Sequence, residues 1–183
     1  ADAGVYFCVV TNPAGSVDSA GCIVTAAAAS ANPGRLLNLS VLTGLAPAGD
    51  SFSLGYVVAG ATAANPKPLV IRAAGPSLGA LGVLGTLDDP KLELFADSTF
   101  TGGNDNWGGS AQLTAALAAV GAFAYTGPFS KDAATTANIT TRDNSVKVSA
   151  VGSGRGTVIA EIYDATSLAS FTTATPRLIN VSV

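Results

Sequence analysis

Short stretches of aliphatic and β-branched residues, each ended by Gly, Pro, Asn or Asp, run through most of this 183-residue chain. Segments of this kind are typical of β-strands, because β-branched side chains fit a pleated sheet and the bounding residues form turns. Many short strands with little helix between them indicate two packed antiparallel sheets. The predicted strands are 35–42, 51–59, 69–73, 91–96, 133–140, 145–151 and 157–164.

The pattern inside these segments predicts which of them are buried on both faces. Residues 91–94 and 146–148 alternate between apolar and polar side chains, which indicates strands with one face in water. Residues 69–71 are continuously apolar and predict a central strand. By the same alternation, Glu93 and Glu161 are expected on solvated outer faces.

A single helix is predicted, over residues 110–120. Ser110 is placed to cap its N-terminus, and the alanines favour helix formation. Leu113, Leu117 and Val120 fall on one face at spacings of four and three residues. The sequence therefore predicts an all-β fold, an antiparallel β-sandwich with one short helical insertion.

The composition predicts a weakly charged surface that favours self-association. Only 11% of residues are charged, and no apolar run is long enough for a membrane helix, so no membrane insertion is expected. The nine basic residues are scattered and the net charge is −3, which argues against a nucleic-acid partner. Abundant Ala, Gly, Ser and Thr favour an extracellular or cell-surface bacterial protein. The absence of Met suggests a chain processed or excised from a longer one.

The residue types argue against catalysis. The chain has no His, which excludes acyl-transfer triads of the Ser-His type and removes the commonest zinc ligand. A carboxylate pair would need acids facing a common cleft, whereas Glu93 and Glu161 are expected in solvent. The glycine-rich segment 152–156 lies between two predicted strands, so it reads as a hairpin loop and not as a phosphate site. We expect no enzyme activity.

Oxygen-bearing side chains cluster before Trp107, at Asp97, Asn104, Asp105 and Asn106. Such side chains can bind calcium, but their spacing fits no EF-hand loop. A turn stabilised by side-chain to backbone hydrogen bonds, with Trp107 packed over the core, is the simpler prediction. We therefore expect no cofactor, with calcium as the alternative.

The N-terminal segment carries a family signature. Residues 2–15 read Asp-Ala-Gly-Val-Tyr-Phe-Cys-Val-Val-Thr-Asn-Pro-Ala-Gly. This resembles the D-x-G-x-Y-x-C signature of strand F and the following turn in immunoglobulin-like domains. The resemblance implies that Tyr6 forms a tyrosine corner, that Cys8 packs toward a sandwich core and that residues 16–25 form strand G. Two strands cannot bury a sandwich core alone, so the hairpin is expected to need a partner surface.

The two cysteines allow two pairings. Cys8 and Cys22 are equally distant from Gly15, so a hairpin centred on that glycine would place them opposite each other. A disulfide between them is then geometrically reasonable, and an even count favours it in a secreted chain. The immunoglobulin resemblance implies the alternative, in which Cys8 pairs with an upstream strand B cysteine. We predict the Cys8–Cys22 bridge and keep the alternative open.

Residues 35–164 resemble a β-sandwich repeat of large secreted bacterial proteins, where the repeat commonly follows immunoglobulin-like domains. This resemblance implies surface architecture, adhesion or accessory binding, without a catalytic activity. The predicted organisation is a hairpin at 1–25, a linker at 26–34, a sandwich at 35–175 and a donor-type strand at 176–183. The motifs that carry the likeness are Arg-Leu-Leu-Asn-Leu-Ser at 35–40, Leu-Val-Ile-Arg-Ala-Ala-Gly-Pro-Ser-Leu-Gly at 69–79, Asn-Asp-Asn-Trp-Gly-Gly at 104–109 and Ser-Lys-Asp-Ala-Ala at 130–134.

The end of the chain nearly repeats the start of the sandwich. Arg-Leu-Ile-Asn-Val-Ser-Val at 177–183 matches Arg-Leu-Leu-Asn-Leu-Ser-Val at 35–41 in five of seven positions. Alternate side chains of each heptapeptide are expected to share one face. The C-terminal heptapeptide could therefore take the first-strand position of a neighbouring molecule by β-strand addition. The predicted assembly residues are Leu178, Ile179, Val181 and Val183 in the tail, Leu37, Leu39 and Val41 in the first strand, and Val5, Phe7 and Val9 in the hairpin.

The function predicted from these features is that of a structural subunit of an extracellular fibre, whose partners are copies of itself joined head to tail. A competing interpretation is a fragment of one long polypeptide that carries the next repeat covalently. The alternative function is a carbohydrate-binding or adhesive module that contacts surface glycans through exposed aromatics. The candidate aromatics are Trp107, Phe100, Tyr125 and Phe129.

Overall fold

A computed structural model describes residues 3–25, 34–47 and 49–183 of this chain. The chain divides into two compact units, Ala1–Pro33 and Gly34–Val183, which are described separately below. Most of the predicted linker, residues 26–33, lies outside the described residues.

The first unit is a hairpin whose strands are short because the pairing shifts register partway along. Its turn lies at residues 13 and 14, where the Asn12 side-chain oxygen accepts a hydrogen bond from the Ala14 backbone at 2.8 Å. The continuous strand predicted over 16–25 is in fact two strands. The antiparallel pairs are β1 (Gly4–Tyr6) with β4 (Cys22–Val24) and β2 (Val9–Asn12) with β3 (Gly15–Asp18).

The second unit is an all-β sandwich of two antiparallel sheets, as predicted. The four-stranded sheet has the order β10 (Ala133–Ile139), β7 (Lys67–Ala74), β12 (Gly156–Asp164) and β5 (Asn38–Leu45). The five-stranded sheet has the order β13 (Arg177–Ser182), β6 (Ser51–Ala59), β11 (Asp143–Ala150), β8 (Pro90–Ala96) and β9 (Thr99–Asn104).

The main core lies between these two sheets. Alternate residues of β6, namely Leu54, Tyr56 and Val58, point inward and pack in one cluster with Ile71 of β7 and Ile162 of β12. Since β7 lies between β10 and β12, the prediction of a central strand around residues 69–71 is confirmed. Both faces of β7 are buried, which explains its continuous apolar run at residues 69–71.

A second core covers the outer face of the four-stranded sheet. Helix α1 (Ala111–Ala119) packs there through Leu117, with Leu113 and Val120 beside it, so the predicted helix face is confirmed. The Ser110 side chain accepts a hydrogen bond from the Leu113 backbone, which confirms the predicted cap. Trp107 packs in the same cluster, as predicted.

This outer layer overturns one sequence prediction. Glu161 was expected in solvent, but its side chain is buried because the outer face of β12 is covered. Glu93 is only half-buried and pairs with Lys91 at 3.0 Å.

The sequence also missed β9, whose Gly102 and Gly103 lower strand propensity. At Gly103 the neighbouring strand approaches so closely that a Cβ would collide with the carbonyl oxygen of Leu92.

Candidate assembly surface

The two similar heptapeptides form edge strands of different sheets. Residues 177–183 supply β13, which pairs with β6 of its own chain, and residues 35–41 lead into β5, which pairs with β12. The C-terminal strand therefore pairs within its own chain in this structure, and its donation to a neighbouring subunit stays a prediction. Leu178 lies opposite Val58 and is only 6% exposed. Without β13, the edge of β6 and the core beneath it would be open, so the chain covers that edge with its own tail.

The predicted faces of the second copy are also corrected. The pairing of β13 with β6 shifts register between Leu178 and Asn180, as in a β-bulge. Leu178 and Val181 consequently pack on the core, whereas Ile179 and Val183 are exposed. The expectation that Ile179 and Val181 share one face is wrong, because the bulge between them breaks the two-residue period.

The first copy keeps a regular register. Leu39 and Val41 of β5 pack against the core opposite Ile162 and Ala160, as predicted. Leu37 precedes the strand and is exposed, so it does not share their burial.

A buried ion-pair cluster anchors the start of this first copy. The Nζ of Lys67 lies 2.6 Å from one carboxylate oxygen of Asp164, and the Nε of Arg35 lies 3.4 Å from the other. Lys67 also donates to the Thr166 hydroxyl at 2.9 Å. Burial lowers the pKa of Lys67 below its ordinary value, although the hydrogen bond and charge of Asp164 act in the opposite direction.

A second buried pair fastens the middle of β5. Glu161 accepts hydrogen bonds from Arg72 Nε at 2.5 Å, from the Ser40 hydroxyl at 2.8 Å and from the Tyr163 hydroxyl at 2.9 Å. The Arg72 guanidinium lies 3.7 Å from the centre of the Phe123 ring. Burial is the main cause that raises the pKa of Tyr163 to about 12. The carboxylate of Glu161 is fully occupied, so this cluster is a structural pair and not a free acid.

The Phe171 ring lies close to the first residue of each heptapeptide. The guanidinium carbons of Arg35 and Arg177 lie 4.6 Å and 4.9 Å from its ring centre. The strands β5 and β13 therefore start at the same end and on the same side of the sandwich. The sequence signal for this contact was a lone aromatic in the Ser, Thr and Ala-rich segment 165–176. We call the side formed by the outer edges of β5 and β13 the open side.

Apart from Arg177, where β13 begins, the two strands of the open side carry no charged residue. Among the described residues, no strand pairs with the outer edge of β5 or of β13. Leu42 is 57% exposed on β5 and Ile179 is 55% exposed on β13. The sequence contains no charged residue in 36–49 or in 178–183. Natural edge strands are usually protected from pairing by charges, prolines or bulges, and of these β5 has none.

The opposite side of the sandwich is different. There the edges β9 and β10 flank a groove of about 470 Å³ lined by Thr135, Thr136 and Asn138 among others. Leu94 and Ile139 also line this groove, so the opposite side is a concave surface of mixed polar and apolar character.

The hairpin unit exposes a second apolar surface. Val5, Phe7, Val9 and Ile23 are all exposed, with the hairpin described by itself. The predicted bridge between Cys8 and Cys22 is absent, and both thiols are free and exposed. Because the turn is not centred on Gly15, Cys22 lies opposite Tyr6, while the Cys8 backbone bonds with Ser19.

The candidate aromatics do not form one binding platform. The ring centres of Trp107 and Tyr125 are 5.1 Å apart, and both residues line an apolar cavity of about 340 Å³. Their polar atoms are already used, since Trp107 donates to the Gly127 carbonyl and Tyr125 to the Ala133 carbonyl. Phe100 packs against Phe95 on the five-stranded sheet, and Phe129 is almost fully exposed.

The candidate calcium loop makes the predicted turn contacts. Asn104 accepts a hydrogen bond from the Ala134 backbone at 3.0 Å and donates to the Asn106 carbonyl at 2.9 Å. Asp97 lies in the turn between β8 and β9. Within residues 3–25, 34–47 and 49–183, no three His, Cys, Asp or Glu side chains are grouped as metal ligands.

No helix in the described part of the chain has the length and hydropathy needed to cross a membrane.

Comparisons with protein-family models, with curated proteins and with solved structures give no significant match. The geometry itself defines the class: an all-β sandwich of two antiparallel sheets, with an open side formed by the edge strands β5 and β13, in which Arg177 is the one charged residue. The immunoglobulin-like hairpin and the bacterial surface repeat stay predictions.

Proposed function

We propose that this chain is a non-enzymatic structural subunit of an extracellular assembly, and that its copies associate through the open side. The observation that carries this proposal is the outer edge of β5, eight residues long and without charge, proline or bulge, with the exposed Ile179 of β13 on the same side of the sandwich. Such an edge presents unpaired backbone N–H and C=O groups that another strand can satisfy.

The geometry favours a two-fold arrangement at this surface. Since β5 and β13 run in the same direction from Phe171, a two-fold axis normal to the sheets would pair β5 with β5 and β13 with β13, each in antiparallel orientation. Main-chain hydrogen bonds would then continue both sheets across the contact. Leu42 and Ile179 would lose exposed area, and full burial of such a side chain contributes about 1.5–3 kcal/mol.

The hairpin supplies a second contact in this proposal. A two-fold contact closes on itself, so a fibre needs another interface. The exposed Val5, Phe7 and Val9 give the Ala1–Pro33 unit an apolar surface of its own. Association through both surfaces would extend pairs of subunits into a longer assembly. The extracellular location rests on the low content of charged residues and of Lys.

Sedimentation velocity of the full chain over a hundredfold range of concentration tests the open-side contact. We expect concentration-dependent dimers or larger species in the wild type. Leu42→Lys places a charge on the outer edge of β5 and should shift the chain to monomer without a large change in melting temperature.

Thr136→Lys is the matched control, because it places the same charge on the exposed edge strand β10 of the opposite side. It should leave association unchanged. A wild type that stays monomeric at every concentration, or equal loss of association in both variants, contradicts the proposal.

A further inference from the structure

A separate cavity of about 430 Å³ opens beside the start of the first heptapeptide. Its volume lies within the roughly 300–1,000 Å³ typical of small-molecule sites. Helix α1, the outer face of β7 and the segment after β12 enclose it. Its apolar walls come from Leu37, Val70, Ala116, Ala119, Val120 and Leu168.

The polar end of this cavity holds two unsatisfied groups. The Asp164 side chain is only 1% exposed, and its Oδ2 accepts no hydrogen bond from the described residues, although the Nε of Arg35 lies 3.4 Å away as an ion-pair partner. The Nη1 and Nε of Arg35 are buried and donate no hydrogen bond there. The other polar atoms are occupied, since Arg35 Nη2 donates to the Thr166 carbonyl and Asp164 Oδ1 contacts Lys67.

These two groups restrict the chemistry of a ligand. A carboxylate would accept from Arg35 but would meet the unpartnered carboxylate oxygen of Asp164, and an ammonium would meet the cation of Arg35. A group that both donates and accepts satisfies the two atoms at once. A hydroxyl has this property, and the aliphatic walls suit the C–H face of a ring that carries hydroxyls.

We propose that this cavity is a binding site for a neutral saccharide residue, with one sugar hydroxyl at the polar end that Arg35 and Asp164 line. The site lies apart from the cavity beside Trp107 and Tyr125, whose polar atoms are already bonded. It does not depend on association through the open side, so either proposal can fail without the other.

Isothermal titration calorimetry of the full chain tests the site with methyl glucoside, methyl galactoside and methyl mannoside. Sodium acetate and acetamide serve as the carboxylate and amide probes. We expect saturable binding of at least one glycoside and none of acetate. Absence of binding by all three glycosides, or binding of acetamide alone, overturns the saccharide assignment.

Two variants and one control locate the binding site. Ala119→Leu fills the cavity from α1 without removing a charge and should abolish binding, whereas Ala115→Leu on the same helix, exposed and outside the cavity lining, should not. Arg35→Lys keeps the charge beside Asp164 but removes Nη1, and should weaken binding roughly tenfold or more. Glycoside affinity unchanged in both Ala119→Leu and Arg35→Lys would show that the sugar binds elsewhere.

Discussion

Two segments of nearly identical sequence, 35–41 and 177–183, lie at the same side of the sandwich but are held there by different forces. Besides the core contacts of Leu39 and Val41, the first is fastened by the ion pair of Arg35 with Asp164 and by the hydrogen bond of Ser40 to Glu161. The second is fastened by one buried aliphatic side chain, Leu178, followed by a bulge. Two strands of similar sequence are therefore stabilised by different residues, because each strand packs in a different sheet.

The largest expected effect comes from breaking the charged anchor. Asp164→Ala leaves Lys67 buried without its carboxylate partner and should lower the free energy of unfolding by about 3–5 kcal/mol. Asp143→Ala is the control, because its pair with Arg142 is exposed and should contribute about 0–1 kcal/mol. Urea unfolding followed by circular dichroism measures both, and similar losses in the two variants would contradict a buried anchor.

The apolar anchor of the second copy comes next. Leu178→Ala should lower the free energy of unfolding by about 2–4 kcal/mol, because it leaves a cavity under β13. Leu36 holds the same position in the first copy but is 37% exposed, so Leu36→Ala should cost about 0.5 kcal/mol. The same urea measurement compares them. Equal effects would mean that the two segments have equivalent environments, against the structure.

The pH dependence of stability distinguishes β12 and β6, the strands that pair with the first and second heptapeptides. Tyr163 lies opposite Asn38 and Tyr56 opposite Val181, and burial is the main cause that raises the pKa of both hydroxyls above the ordinary 10.0. A raised folded-state pKa contributes stability that is intact below pH 10 and is lost as the pH rises toward the folded value. Each tyrosine should therefore lower the free energy of unfolding by about 1.4 kcal/mol for each pH unit above pH 10.

The loss from Tyr163 should end near pH 12, the value to which its pKa is raised, whereas that from Tyr56 should continue beyond it. Unfolding curves from pH 9 upward, measured for Tyr163→Phe and Tyr56→Phe, test this through the slope of stability against pH. An unchanged slope in both variants would show that neither hydroxyl resists ionisation in the folded state.

The smallest expected change in stability comes from replacing two serines at matching positions of the heptapeptides. Ser40 and Ser182 occupy the same position in the two copies. Ser40→Ala removes a hydrogen bond to the Glu161 carboxylate and should cost about 1 kcal/mol. Ser182→Ala on the exposed end of β13 should change stability by less than about 0.5 kcal/mol. A reversed order in thermal melts would contradict the assignment of Glu161 as the acceptor that fastens β5.

Local pattern predicted most of the strands and the helix, because alternation and capping depend on neighbouring residues. The strand at 51–59 and the Ser110 cap are examples that the structure confirms. The same reasoning failed for Glu161, since alternation shows that a strand has two faces but not whether a second layer covers the outer one. It also failed for Cys8 and Cys22, because a turn two residues long moved the register away from Gly15.

The candidate sites depended on tertiary structure to a greater degree. The sequence revealed that the last seven residues resemble the first strand, but their pairing with β6 required the whole five-stranded sheet. The cavity beside Arg35 and Asp164 joins residues 129 positions apart, and no local pattern relates them.

The sequence by itself determined the all-β class, the position of the helix and the weakly charged surface, since each follows from residue type and short-range spacing. Only the tertiary structure decided which edges remain open, which charges are buried and where the repeated segment docks. The physical reason is that burial and pairing depend on contacts between residues far apart in the chain, and two copies of one heptapeptide acquire different neighbours once each edge of the sandwich has formed.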